Sequence, residues 1–355
     1  MQQLIKTFLE LAEIDEVHPN EGKVLEYIKQ RLTAAGVSFT QDKIGNIVGK
    51  IAGKNDSALA FCGHVDIAAP LNGRQVIVTK DTIKTDGKGL LGGDDKTAVA
   101  VMLELADHVH TEKITPPRTL ELVFTVGEES GMVGAINFDT SMLTSKQMLV
   151  FDWLGSPAEI IRRSPAIYKI DVEYTGKDAH PAEWQKGKNA GAALLKAASA
   201  LQQGEYSPGV TLNIGQMEFG NARNKVPGHA WLKAETRSFD RDEVNTAAKE
   251  IVAHFEQVAL SAGITTKITL DDKAVSYSLD ESGPLLAEVQ QRLQAQGLSP
   301  KIVETYGGFD ANIFASYGIE AVILGAGYYN PHSPDEYINI PEFIQLYEFI
   351  KSFAE

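Results

Sequence analysis

The chain has 355 residues, 43% hydrophobic and 23% charged, and a globular composition of this length predicts two domains at roughly 100–200 residues each. Set against 47 Asp+Glu, 33 Lys+Arg leave a net charge of −14, a field that repels nucleic acid and anionic membranes and so excludes a polyanion-binding role. The single cysteine, Cys62, has no internal disulfide partner, no run of 18 or more apolar residues is present, and the opening MQQLIKTFLELAEID lacks the regions of a secretion signal; a cytoplasmic protein is expected.

In chain order, Leu4, Phe8 and Leu11, then Val24, Ile28 and Leu32, recur at helical spacing and predict two amphipathic helices. β-Rich runs follow at 46–52 and 58–64, then a hairpin in VIVTKDTIKTDG, a helix from about Lys96 to His108, and strands ELVFTV at 121–126 and MLVFDW at 148–153. Such alternation predicts an α/β fold, a mixed and mostly parallel sheet covered by helices. Residues 166–175, 189–202, 209–219, 228–238, 241–261 and 264–271 then read β-α-β-β-α-β, an inserted ferredoxin-like α+β domain able to bury its own core. The α/β pattern resumes with helices at 284–296, 309–317 and 341–353 and strands at 300–304 and 319–325. The expected division is a discontinuous catalytic domain, 1–163 and 277–355, and a lid domain, 164–276.

Several strand ends carry chemistry. His64 and Asp66, Asp94 and Asp95, Glu128 and Glu129, Asp152, and His332 all lie just past apolar runs, where the open edge of an α/β sheet binds ligands. Acids gathered there in a net-acidic chain repel one another unless cations neutralise them. His64, Asp94, Glu129, Asp152 and His332 would give two neutral imidazoles and three carboxylates, a set suited to two divalent ions, zinc, cobalt or manganese in preference to magnesium or calcium. Each residue also has an ordinary reading. Asp94-Asp95 suits a helix N-cap with a first-turn acid, Glu128-Glu129 a solvated turn, and Cys62 a small apolar residue of a buried strand.

The strings FCGHVD, GKGLLGGDDKTAVA, FTVGEESG, the lone Asp152 and GAGYYNPHSPDE, in that order and with a domain inserted between Asp152 and His332, resemble the M20 metallopeptidases, in particular their peptidase T-like branch of tripeptide aminopeptidases. The resemblance spans essentially the whole chain. It implies a di-zinc hydrolase in which Asp94 bridges both ions, His64 and Asp152 complete one site, and Glu129 and His332 complete the other. Glu128 then takes the general-base position on a water shared by the metals, and Asp66 supports His64. The implied substrate is a di- or tripeptide losing its N-terminal residue, with a carboxypeptidase or an N-acyl amino acid amidohydrolase of the same family as the alternative. In the lid, GKDAHPAEWQKGKNA places His180 as a donor to the tetrahedral oxyanion, while Asn224 and Arg237 match substrate-contacting positions, and a homodimer through the lid is the implied assembly. TYGGFDANIF resembles a substrate-side glycine turn at Gly307 and Gly308.

Three departures bear on substrate choice: Trp153 after Asp152, HPAEW after His180's aspartate and alanine, and Tyr306 where some relatives carry arginine. Gly87 to Gly92 spells G-x-G-x-x-G before a helix, the dinucleotide fingerprint. Asp94 and Asp95 at the helix start would repel a pyrophosphate, so the glycines are expected to shape a loop presenting Asp94.

Overall fold

A computed structural model describes residues 2–71 and 73–355, with all of their side chains apart from those of Lys273 and Ala274. The chain forms two units. One comprises Met1–Arg162, Ser278–Glu304 and Phe309–Glu355; the other comprises Arg163–Tyr277 and Thr305–Gly308.

The first unit is built on a nine-stranded sheet. Its path runs Ser38–Gln41, Ile47–Ile51, Thr119–Thr125, Ala58–His64, Gln147–Trp153, Glu320–Gly325, Glu159–Ser164 and Tyr277–Ser278, with Lys301–Glu304 also paired to Glu159–Ser164. The four central strands are mutually parallel, while Ile47–Ile51 joins them antiparallel. Their sequences, TLELVFT, ALAFCGH and QMLVFDW, are nearly continuous apolar runs because both faces are covered. Helix Gly93–Glu112 is buried along most of its length for the same reason. The first and last helices meet through Phe8 and Phe343, edge to face with centroids 6.0 Å apart, and Phe353 packs likewise on Phe61 of the sheet.

Several features lie outside the sequence pattern, the edge strand Ser38–Gln41 among them. Glu159–Ser164 is a strand of the main sheet, and the run EIIRRS gives no alternation that would announce it. A small antiparallel sheet of Tyr328–Tyr329, Tyr337–Asn339, Thr82–Thr85 and Val76–Val78 joins the expected hairpin to the loop around His332. Helix Gly93–Glu112 also begins earlier than its periodicity suggests, since Asp94 and Asp95 stand in its first turn with non-helical backbone angles.

The second unit is a five-stranded antiparallel sheet in the order Gly204–Ser207, Val210–Phe219, His229–Ser238, Ala166–Thr175, Thr265–Ala274. Omitting the short edge strand leaves the ferredoxin-like arrangement. Its core is mostly aliphatic on the helix side, with Ala190, Leu194 and Ala197 of one helix and Val244, Ile251 and the aromatic Phe255 of the other against Ile170, Val172 and Tyr174.

Candidate metal centre

Most residues of the centre in the first unit stand at or just past the carboxyl end of a parallel strand; Asp94 is in the first turn of helix Gly93–Glu112, and His332 is in the connection between the antiparallel strands Tyr328–Tyr329 and Tyr337–Asn339. His64 closes its strand with the side chain almost fully buried. The preceding Gly63 is required by packing: a Cβ there would lie 2.6 Å from Ala98 Cβ and 2.7 Å from Asp95 Oδ2. Its absence lets helix Gly93–Glu112 close on the strand, where Asp95 accepts from the His64 amide at 3.3 Å. Gly92, at φ 78°, turns the chain in the left-handed region so that Asp94 faces the strand ends.

Asp94 is the hinge of the geometry. Its Oδ1 lies 3.2 Å from His64 Nε2, and Asp152 Oδ1 approaches the same nitrogen at 3.6 Å. Its Oδ2 lies 3.3 Å from His332 Nε2, which is 2.7 Å from Glu129 Oε1. Two donor groups result, His64–Asp94–Asp152 and Asp94–Glu129–His332, each with its ligand atoms within 4.8 Å of one another. Asp94 belongs to both.

Asp66 organises the neighbourhood from beneath. Its carboxylate accepts from the amides of Glu128 at 3.0 Å and Glu129 at 3.2 Å, and its Oδ1 lies 3.5 Å from His64 Nδ1, which also contacts the Asp66 carbonyl at 3.1 Å. One buried acid thus aligns an imidazole and the turn bearing two further acids. Among the described residues no hydrogen bond engages the Glu128 carboxylate, which keeps part of its surface open.

The electrostatics follow from crowding. Burial opposes protonation of His64, yet Asp152, Asp66 and Asp94 hold its imidazole well above the ordinary value. Bonds to Asp94 and Glu129 lift His332 to about 10. Burial raises the carboxyls of Glu128 and Glu129, and that of Asp152 to about 7. Burial would raise Asp94 too, but its bonds to both histidines outweigh it and drive it down. A pocket that draws protons onto its imidazoles and outer carboxyls is one that favours added positive charge. Two imidazole nitrogens and three carboxylates, one of them shared, therefore fit a pair of divalent ions.

Three residues here, Tyr328, Asp310 and Glu336, are not singled out as candidates by the sequence, and Asp95 is marked there only as a first-turn acid beside Asp94. Tyr328 is fully buried with its hydroxyl 3.5 Å from Asp152 Oδ1, and burial pushes its phenol well above the ordinary range. Asp310, beside Thr125, is buried and lifted by burial to about 6. Asp95 lies under His64, and Glu336 accepts from the amides of Leu91, Gly92 and Asp94. Of the three, Glu336 alone leaves a signal, as an acid four residues beyond His332.

The remaining candidates belong to the second unit. His180 caps the short helix Pro181–Lys186, exposed, with Nδ1 accepting from the Ala182 amide at 3.2 Å. Asn224 lies in an exposed turn. Arg237 donates from Nε and Nη2 to Glu235 at 3.0 and 2.8 Å and from Nη1 to the Tyr306 carbonyl at 2.5 Å. Gly307 is tied to the same unit, its amide donating to Thr305 and its carbonyl accepting from Ser164. The geometry fills part of the Arg237 fork with internal partners. Cys62 is fully buried, and burial pushes its thiol well above the ordinary value, which removes it as a nucleophile.

A parallel-sheet α/β unit with paired histidine and carboxylate donors at its strand ends defines the class of metal-dependent hydrolases. The chain belongs to the peptidase family M20/M25/M40, whose model matches residues 83–355. It is 30% identical to the uncharacterized protein YqjE of Bacillus subtilis, over all of this chain and 98% of that one. Its fold is similar to that of a tripeptidase from Staphylococcus aureus, with a TM-score of 0.88 at 29% identity over 99% of this chain and 98% of that chain. It is also similar to that of the aminopeptidase PepT from Bacillus cereus, with a TM-score of 0.83 at 27% identity over 99% and 97%. The family places the protein among peptide-hydrolysing enzymes, and the likeness lies on its peptidase T side. No helix among the described residues is long and apolar enough to cross a membrane.

Proposed function

We propose that the chain releases the N-terminal residue of di- and tripeptides, using two divalent ions, zinc first and cobalt or manganese as alternatives. The observation that carries this reading is the division of Asp94 between His64 and Asp152 on one side and Glu129 and His332 on the other. Those five residues would hold the ions. Bound there, the cations supply Lewis-acid polarisation of a carbonyl and acidify water. Glu128, unengaged at the end of a turn fixed by Asp66, accepts a proton from the attacking water and returns it to the departing amine. Asp66 keeps His64 in one orientation, with Nε2 directed toward Asp94 and Asp152.

The second unit is read as a lid and dimerisation domain, 164–276, inserted in a catalytic domain of 1–163 and 277–355. With Nδ1 of His180 accepting from a backbone amide, its proton resides on Nε2, the tautomer that donates outward to a developing oxyanion. Asn224 and the uncommitted donors of Arg237 contact the peptide. The likeness to a tripeptidase and an aminopeptidase supports this substrate class.

The test is a panel of free, N-acylated and C-amidated di- and tripeptides with zinc-loaded enzyme. Cleavage that requires a free α-amino group and releases the first residue is expected; cleavage of N-acyl substrates instead establishes the amidohydrolase alternative. Glu128→Gln is expected to retain two equivalents of metal and to lose about 10²–10⁴ in kcat. Wild-type turnover by that variant rules out the assigned base.

A further inference from the structure

The loop presenting Asp94 is gripped along both edges by side chains distant in sequence. On one edge the Glu336 carboxylate, 2% exposed, accepts from the amides of Leu91 at 2.8 Å, Gly92 at 2.9 Å and Asp94 at 3.0 Å. On the other, Arg74 donates from Nε to the Leu90 carbonyl and from Nη2 to those of Leu91, at 3.0 Å, and Ala12, at 2.6 Å. An anion thus takes the N–H groups, a cation takes the C=O groups, and the peptide dipoles between them lie in register with both. The three amides stand at or just before the start of a helix, where backbone donors lack intrahelical partners. A capping side chain normally serves such groups locally; Gly92 has none, and the carboxylate comes from more than 240 residues away. There is no slack in the arrangement, since a Cβ on Gly93 would stand 3.0 Å from Glu336 Oε1 and 3.1 Å from Tyr328 Cβ.

We propose that Glu336, with Arg74 opposite, is the positioning residue that sets Asp94 in the attitude serving both donor groups at once. The inference rests on the reading of Asp94 as a shared ligand. Glu336 lies in the same loop as His332, so that one excursion of chain delivers a ligand to one ion and fixes the ligand common to both. A residue acting through Asp94 must affect both ions, whereas a ligand private to one group affects one.

The measurement is zinc binding by the full-length, metal-stripped protein in competition with a chromophoric chelator, with near-UV circular dichroism to establish that each variant is folded. Glu336→Gln keeps an acceptor oxygen but sets an NH2 against backbone N–H groups. It is expected to weaken both binding steps about 10–100-fold. His332→Ala is expected to weaken one. If Glu336→Gln does not fold, Arg74→Met, which strips the opposite edge, carries the same expectation. Wild-type affinity at both steps in the folded variant, or loss at the His332 step alone, overturns the inference while leaving the metal centre intact. A wild-type chain that binds no zinc overturns the metal reading itself and this inference with it.

Discussion

Asp66 shows how much a single buried carboxylate can organise. It touches the imidazole of His64 and the amides of Glu128 and Glu129, so its removal loosens one donor of one group and the turn carrying a donor of the other. Asp66→Ala is expected to lower zinc affinity by about 10–100-fold, read by chelator competition, and to lower kcat beyond that loss because Glu128 also loses its anchor. Unchanged affinity would show that His64 is held by its strand alone. At this scale the sequence was informative wherever a residue type is costly at its place. An acid or histidine after an apolar run is conspicuous, and His64, Asp94, Glu129, Asp152 and His332 were readable in that way. Tyr328 and Asp310 were not, because a tyrosine in a short strand or an aspartate opening a helix is ordinary until the fold shows what it is buried against. For Arg237, strand alternation already puts Glu235 on its side, whereas nothing in the sequence announces the Tyr306 carbonyl that takes a further donor.

Among the elements, the legible ones are those with a period of their own. The buried parallel strands read as apolar runs, and the ferredoxin-like order of the second unit follows from alternation and helical spacing. Glu159–Ser164 is a strand through pairing with Glu320–Gly325, Lys301–Glu304 and Tyr277–Ser278, all more than a hundred residues away in sequence. The Ala166–Thr175 strand supplies a test of the second core. Tyr174 is wholly buried with its hydroxyl donating to the Phe255 carbonyl, and burial lifts its phenol from 10 to about 12. Between those values the unfolded chain has released a proton that the folded chain retains, so the stability contribution is full below pH 10 and is lost as pH rises toward 12. Tyr174→Phe is expected to flatten that part of the stability-versus-pH curve in urea titrations. A slope identical to wild type would place the alkaline loss on other groups.

For the molecule as a whole, a net charge of −14 and a cluster of buried acids mean that the proposed cations would add to what holds the fold. Ligand present at one hundred times its dissociation constant stabilises the native state by about 2.7 kcal/mol. Chelation is accordingly expected to lower the melting temperature, and zinc to restore it, in differential scanning calorimetry. A transition indifferent to both would mean that the centre contributes nothing to stability. The strand Glu320–Gly325 lies between Gln147–Trp153 and Glu159–Ser164, yet it is encoded after the whole inserted unit, and His332 and Glu336 come later still. During translation the inserted unit therefore leaves the ribosome while the main sheet still lacks its late strand and while His332, the last of the five candidate ligands, has yet to be made. Nascent chains stalled just before residue 320 should resist protease across the inserted unit and be cut freely in the amino-terminal third, whatever zinc is supplied; protection there would mean that the sheet can close without its central late strand. The segment from Glu320 to Glu336 would then be what completes both the main sheet and the candidate centre.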